Sequence, residues 1–311
     1  MTLKITIVGA GAWGTTLAAL ARENGHDVVV WSRSCEMSLR DAIAGSQVIL
    51  SAISMKGVRA IVQQLQTIGL PPATILISAT KGLDPESGTA TVLPKLPSQI
   101  WQMGFPNNPV VVLSGPNLSK EIQQGLPAAT VVASDRPGAA TQVQTLFSSP
   151  RFRVYTNDDP LGVELGGALK NVMAIAVGTC DGLHLGTNAK SGLITRGLAE
   201  MIRIGIHWGA KADTFYGLAG LGDLMATCSS SLSRNYQVGY GLAQGQTLTE
   251  ILGNLEGTAE GVNTTQVLLQ VAQQQGIELP IAEQVYLLLQ GQITPQDAIA
   301  ALMSRGSKPE R

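Results

Sequence analysis

The chain has few of the groups from which metal centres, disulfide frameworks and charged docking faces are built. Its three cysteines, Cys35, Cys180 and Cys228, are far apart and lack CxxC or histidine spacing. That excludes structural zinc and a disulfide scaffold, and predicts reduced thiols and no metal. Charged residues are only 14% of the total and the formal net charge is −1. Without blocks of like charge there is no basis for a nucleic-acid surface or a polybasic membrane anchor, so any anion must be met by local groups. Residues 3–8 read LKITIV with no basic n-region ahead of an apolar h-region, so no secretion signal is expected and the cytoplasm is the expected location. Apolar stretches elsewhere are broken by Gly, Ser or a charge before the ~18 residues of a membrane span, so no membrane insertion is expected. Internal repeats and low-complexity tracts are also missing, and Gln-rich stretches such as 270–275 read as solvated helix surface.

Apolar residues make up 44% of the 311 positions, enough for a packed core, and the length favours two domains with a cleft between them. Short β-branched runs at 5–8, 28–31, 48–53, 75–78, 110–113, 130–133 and 152–155 alternate with helical stretches. This predicts an α/β, doubly wound Rossmann-like domain with a mainly parallel sheet over residues 1–157. Beyond it the apolar spacing becomes helical, at 162–178, 194–208, 238–243, 262–275 and 280–290. The expected second domain, 158–311, is therefore all-α. Two acids and Pro160, which suits a helix's first turn, mark the boundary.

The first strand runs into Gly9-Ala10-Gly11-Ala12-Trp13-Gly14 and then a helical pattern, which is G-x-G-x-x-G in its strand-turn-helix setting. Gly9 permits the tight turn, Gly11 lets backbone approach a pyrophosphate, and Gly14 lets helix and strand pack closely. The helix start then offers unpaired N–H groups to a dinucleotide phosphate. At the end of the second strand, where an NAD-selective site puts an acid for the ribose 2′-hydroxyl, stand Ser32 and Arg33. A guanidinium fork suits a 2′-phosphate, which favours NADPH over NADH; the bland alternative is an exposed arginine at a strand end.

Open α/β sheets bind ligands beyond the carboxyl ends of their strands. Two such ends carry ATKG with Lys81 and SGPNLS with Ser114 to Ser119. For Lys81 the alternative is a surface lysine in a turn. The stretch ELGGALKNVMAIAV, 164–177, is small or apolar on every face, so it reads as a buried helix with Lys170 in its middle. Its neighbours one turn away, Gly166, Gly167, Met173 and Ala174, offer no counter-charge. Lys170 therefore either snorkels to solvent or sits in a site that supplies a carboxylate or an anionic ligand, and the second reading makes it the catalytic candidate. Asp223, ending GLAGLGD, is read as a helix cap or as the partner of Lys170. The run SSSLSRN, 229–235, is a Ser-rich cap or a phosphate site built from hydroxyls, Arg234 and a helix start.

These motifs together, GAGAWGTTLA, ATKGL, SGPNLSKE, VELGGALKNVMAIAVG, GLITRGLAEM, YGLAGLGDLMATC and SRN, resemble bacterial-type NAD(P)-dependent glycerol-3-phosphate dehydrogenase over nearly the full chain. The resemblance implies interconversion of dihydroxyacetone phosphate and sn-glycerol 3-phosphate, with the product feeding phospholipid synthesis, and a homodimer. It makes Lys170 the catalytic lysine and Lys81 a contact to substrate and coenzyme. Gly115, Asn117, Asp223, Ser233, Arg234 and Asn235 become substrate contacts, Arg234 being shared with the coenzyme. Gly9, Gly11, Ala12, Trp13, Gly14, Arg33, Ser119 and Glu260 become coenzyme contacts.

Three departures stand out. Only residues 34–46 join the second and third strands, where most members have a much longer segment; Asn117 replaces the usual Ser or Thr; and Ser54 replaces a common Pro. Two rival readings keep the same architecture. A hydroxyacid dehydrogenase would need a carboxylate clamp in place of the phosphate site, and a dinucleotide sensor would have no use for Lys170.

Overall fold

Central strands rich in Val, Ile and Leu and buried on both faces, such as residues 48–51 and 75–78, need helices above and below them. The computed structural model, which describes residues 2–86, 93–307 and 309–310, builds such a sheet from β1 (Lys4–Val8), β2 (Asp27–Trp31), β3 (Val48–Ser51), β4 (Ile75–Ser78), β5 (Val110–Ser114), β6 (Ala128–Ala133) and β7 (Phe152–Asn157). Their order is β2-β1-β3-β4-β5-β6-β7. All neighbouring pairs are parallel except β5 with β6. The expected α/β class and mainly parallel sheet are what is found.

Around the sheet lie α1 (Ala12–Glu23), α2 (Leu39–Ile43), α3 (Val58–Ile68), α4 (Pro97–Gly104), α5 (Ser119–Gln123) and α6 (Ala139–Phe147). The rest is helical: α7 (Pro160–Gly182), α8 (Gly186–His207), α9 (Asp223–Cys228), α10 (Arg234–Ala243), α11 (Leu248–Asn254), α12 (Glu260–Gln274), α13 (Pro280–Leu289) and α14 (Pro295–Met303). The short β2–β3 connection still completes its crossover, because Ser38 caps the five-residue α2 by accepting from Asp41 N–H.

Three sequence expectations shift. The third strand stops at Ser51 rather than residue 53, because the next residue turns in against the fingerprint loop, where a Cβ on Gly9 would meet the Ala52 carbonyl at 2.4 Å. α8 begins at Gly186, eight residues before the expected 194. Its first turns are exposed and polar, so they carry no apolar period. α11 and α14 were not anticipated, although Thr247 with Glu250 and Thr294 with Asp297 form reciprocal capping pairs at their starts.

α7 is the axis of the helical half. Nearly every residue from Gly162 to Gly182 is buried, and α8, α9, α10, α12 and α13 all pack on it, as does β5. The helix passes the length and hydropathy test for a membrane span, with a mean hydropathy of 1.3 over its apolar window. Sequence reading discounted it because glycine interrupts the apolar run, but glycine does not interrupt the helix. That window is 94% buried inside the protein, as a core helix is.

Candidate active site

The carboxyl ends of β1, β3, β4 and β5 converge on one crevice against α7. At β1 the backbone of Gly9 has φ 122°, open to glycine and strained for other residues. Its N–H donates to Trp31 O at 2.8 Å, which joins the fingerprint to the end of β2. A Cβ on Gly14 would lie 1.9 Å from Gly9 O, whereas one on Gly11 would meet nothing within 4 Å. The first and third fingerprint glycines are thus required by packing, and the second leaves open space at the start of α1. That start has no side-chain cap and no acid in its first turn, so its N–H groups and partial positive charge suit a pyrophosphate. The residues therefore fit a dinucleotide. Ala12 opens α1 and is exposed, Trp13 is half-buried, and Arg33 is exposed one residue beyond Ser32 at the end of β2.

At β4 the backbone turns through Gly82, φ 142°, and Lys81 points back across the sheet end. Its Nζ donates to Gly115 O at 3.2 Å and to the Asp223 carboxylate. Gly167 on α7 makes room for it: a Cβ there would sit 3.4 Å from Lys81 Cδ and Cε. Lys170 Nζ lies 3.0 Å from Asp223 Oδ1 and donates to Thr227 Oγ1 at 2.5 Å. Asp223, 2% exposed, opens α9 and takes both lysines; it is a partner of Lys170 rather than only a cap. Burial is the main cause lowering the Lys170 pKa to about 8; Lys81 adds to the fall, and Asp223 opposes it. Two ammonium groups on one buried carboxylate, one of them poised near neutrality, form an acid–base centre.

Around this centre Glu260, at the start of α12, lies beside Gly82, where a Cβ would be 3.4 Å from Glu260 Oε2. Burial raises the Glu260 pKa, opposed by a hydrogen bond from Met55 N–H and by the charge of Arg234. Arg234 is exposed at the first position of α10, its guanidinium against Gly257. Ser233 is the α10 N-cap, accepting from Tyr236 N–H at 3.2 Å. The Asn235 amide is held internally, donating to Asn171 Oδ1 and accepting from Gly261 N–H, both at 2.9 Å. Asn117 donates to Thr130 Oγ1 at 3.2 Å, while its buried Oδ1 has no hydrogen-bond partner. Ser119, the first residue of α5, lies just after this turn.

Thr227 and Asn171 were missed by the sequence reading. Thr227 is signalled only by its place one turn after Asp223 on α9. A groove of about 560 Å³ lined by Leu3, Arg40, Gly45, Gln47, Gly69 and Thr74 lies at the opposite, amino-terminal ends of the strands and holds none of these residues. Among the described residues, no three His, Cys, Asp or Glu side chains come together as metal ligands would.

A Rossmann-like sheet with a dinucleotide turn, facing a buried lysine pair held by one acid, defines a nicotinamide-dependent oxidoreductase. Comparison with known proteins is more specific. The profile of the NAD-dependent glycerol-3-phosphate dehydrogenase N-terminus matches residues 4–38 and 34–140, and that of the C-terminus matches 159–300. The chain belongs to this family. It is 66% identical over 306 residues to a glycerol-3-phosphate dehydrogenase (NAD(P)+) of Trichormus variabilis, covering 98% of each chain. With the enzyme of that name from Synechocystis it shares 60% over 307 residues, 99% of this chain and 95% of the relative. The crystal structure of a glycerol-3-phosphate dehydrogenase from Coxiella burnetii superposes with a TM-score of 0.91 at 33% identity, covering 98% of this chain and 99% of that one.

Proposed function

We propose that this chain reduces dihydroxyacetone phosphate to sn-glycerol 3-phosphate and catalyses the reverse reaction, with Lys170 as the proton donor and acceptor. The observation that carries the reading is the Lys170–Asp223–Lys81 arrangement in the crevice beyond the strand ends. When bound, the reduced nicotinamide supplies the hydride. Lys170, charged and hydrogen-bonded to Thr227, polarises the ketone and gives its proton to the oxygen as that oxygen gains charge; in the oxidative direction the neutral amine takes the hydroxyl proton. Asp223 keeps both ammonium groups in place and lowers the cost of burying them. Lys81 brings a second positive charge to the developing oxyanion, and Arg234 provides a guanidinium for the phosphate. Ser233 and Asn235 belong to the same proposed site as the groups that fix the α10 start where Arg234 stands.

Gly9, Gly11, Ala12, Trp13, Gly14, Arg33, Ser119 and Glu260 would hold the coenzyme. The guanidinium of Arg33, at the strand end where an NAD-selective site would carry an acid, supports NADPH as the preferred form. In this reading residues 1–157 bind coenzyme and 158–311 bind substrate, and the enzyme works as a cytoplasmic homodimer supplying glycerol 3-phosphate for lipid synthesis.

Lys170→Ala tests the assignment. Turnover of dihydroxyacetone phosphate, followed at the reduced-nicotinamide absorbance, should fall by at least ~10²-fold. Because the acid form is needed and its pKa is lowered to about 8, wild-type reduction should decline as pH rises through that value. Near-normal turnover by a stably folded Lys170→Ala protein would remove Lys170 from the chemistry.

A further inference from the structure

Glu164 takes no part in the chemistry described above, yet it lies on α7 six residues before Lys170 and is 2% exposed. Its carboxylate meets hydroxyl and amide donors rather than a cation. Oε1 accepts from Ser78 Oγ at 3.2 Å and from Ser98 N–H at 2.9 Å, and Oε2 accepts from the Ser98 hydroxyl. Ser78 is the last residue of β4, and Ser98 follows Pro97 in the first turn of α4. One carboxyl group therefore holds both ends of the connection that carries Lys81. The Ser98 N–H would otherwise be an orphan donor, since the α4 N-cap, Leu96, has no side-chain acceptor, and a carboxyl at a helix start is favoured by the dipole.

The same connection is tied at two further points. Asp84 N–H donates to Lys95 O at 2.9 Å, and the Arg59 guanidinium binds the Asp84 carboxylate. On α7, Glu164, Gly167 and Lys170 follow at three-residue steps, with the Lys81 stem seated on Gly167. Burial raises the Glu164 pKa to about 7, so near neutrality this group costs stability that an apolar side chain would not. Its contribution is geometric.

We propose that Glu164 is a positioning residue that clamps the Ser78 and Ser98 ends of the Lys81-bearing connection to α7, and so seats Lys81 on Asp223 beside Lys170. This rests on the reading of Lys170 as proton donor. With Lys81 seated, two cations share Asp223 and the Lys170 proton is easier to release. With the clamp loosened, Lys81 withdraws, Asp223 serves Lys170 alone, and Lys170 holds its proton more tightly. The other titratable group bearing on Lys170 is Cys228, whose buried thiol, raised to about 12, stays neutral.

The test compares Glu164→Ala with Glu164→Gln. Glutamine keeps all three hydrogen bonds, because the Ser98 hydroxyl can accept from its amide. In Glu164→Ala, kcat for triose phosphate reduction should fall by roughly tenfold or more. The descending limb of its pH profile should move up by roughly half a pH unit or more, and coenzyme Kd should change less than about threefold. Glu164→Gln should restore kcat and the limb. Ser98→Ala, removing one donor, should shift the limb in the same direction by less, and it serves if Glu164→Ala does not fold. A merely structural role would lower the amount of folded enzyme and leave the limb in place. An unmoved limb in both Glu164→Ala and Ser98→Ala, or equal losses in Glu164→Ala and Glu164→Gln, overturns the proposal. Hydrogen exchange over residues 75–86, faster in Glu164→Ala than in Glu164→Gln, reads the clamp without substrate. Its outcome therefore stands apart from a failure of the wild-type enzyme to reduce dihydroxyacetone phosphate, which would sink the functional reading alone.

Discussion

Lys170 and Glu164 occupy the same buried helix, and burial pushes their proton equilibria towards neutrality from opposite sides. For Lys170 the charged form is disfavoured and its pKa falls; for Glu164 the carboxylate is disfavoured and its pKa rises from the ordinary 4.5 to about 7. The second shift has a sign that thermal stability can read. An unfolded carboxyl ionises near the ordinary value and the folded one only near neutrality, so folding binds a proton between these limits and stability falls as pH rises through them. The shift corresponds to about 3 kcal/mol at most. Glu164→Gln removes the charge and keeps the hydrogen bonds, so its Tm should match wild type below about pH 4 and exceed it increasingly up to about pH 8. A difference between the two proteins that does not change with pH would show that this carboxyl is not raised. Glu200, whose carboxylate accepts from Ile281 and Ala282 N–H at the start of α13 and is likewise raised to about 7, titrates in both proteins and cancels. Lys170 was legible as a problem residue because its own helix offers no counter-charge. Glu164 was not, since a carboxyl near the start of a helix looks ordinary until its three serine donors are seen.

At the scale of elements, what sets α7 in place is glycine. Where α10 crosses it, a Cβ on Gly239 would lie 1.8 Å from Ile175 O, and one on Gly178 would lie 2.1 Å from Tyr236 O. The two backbones touch, and neither helix can carry a side chain there. Gly239→Ala should cost roughly 1–3 kcal/mol or more and lower Tm by several degrees, because backbone cannot shift as a flexible side chain can. Gly192→Ala is the matched control: it is exposed within α8 with nothing near its Cβ position. Relief of the glycine penalty should stabilise it by about 0.5–1 kcal/mol. Equal Tm changes for the two would refute the close-contact account. Element types were readable from apolar period, and the α7 glycines read only as small residues of a buried helix. Their purpose appears only when α10, some sixty residues later, is laid across them. The early start of α8 and the existence of α11 and α14 escaped for a different reason: the first turns of α8 are exposed and polar, and those of α11 and α14 are held by polar caps, so none of them carries an apolar face.

Across the whole molecule, the sheet presents the coenzyme turn and the Lys81 and Gly115 ends to one side, and α7 brings the helical half's lysine to the same crevice. At the end of β2 the crossover through α2 is short. There Arg33, exposed, is the group proposed above to meet a 2′-phosphate. Arg33→Ala should raise KM for NADPH by roughly tenfold and leave that for NADH nearly unchanged. Equal changes for both coenzymes would take Arg33 out of the phosphate contact and leave the preference to other groups.

By itself the sequence determined the mainly parallel α/β sheet, the glycine-rich turn, the helical second half and the need of Lys170 for a counter-charge, because each follows from local period, local turn chemistry or the burial of a single helix. Only tertiary structure decided that Asp223 answers both Lys170 and Lys81, that Thr227 completes the set, and that Glu164 joins β4 to α4. Those pairings link residues from 53 to 142 positions apart. Which long-range partners meet depends on how the whole chain closes, and no periodicity records it.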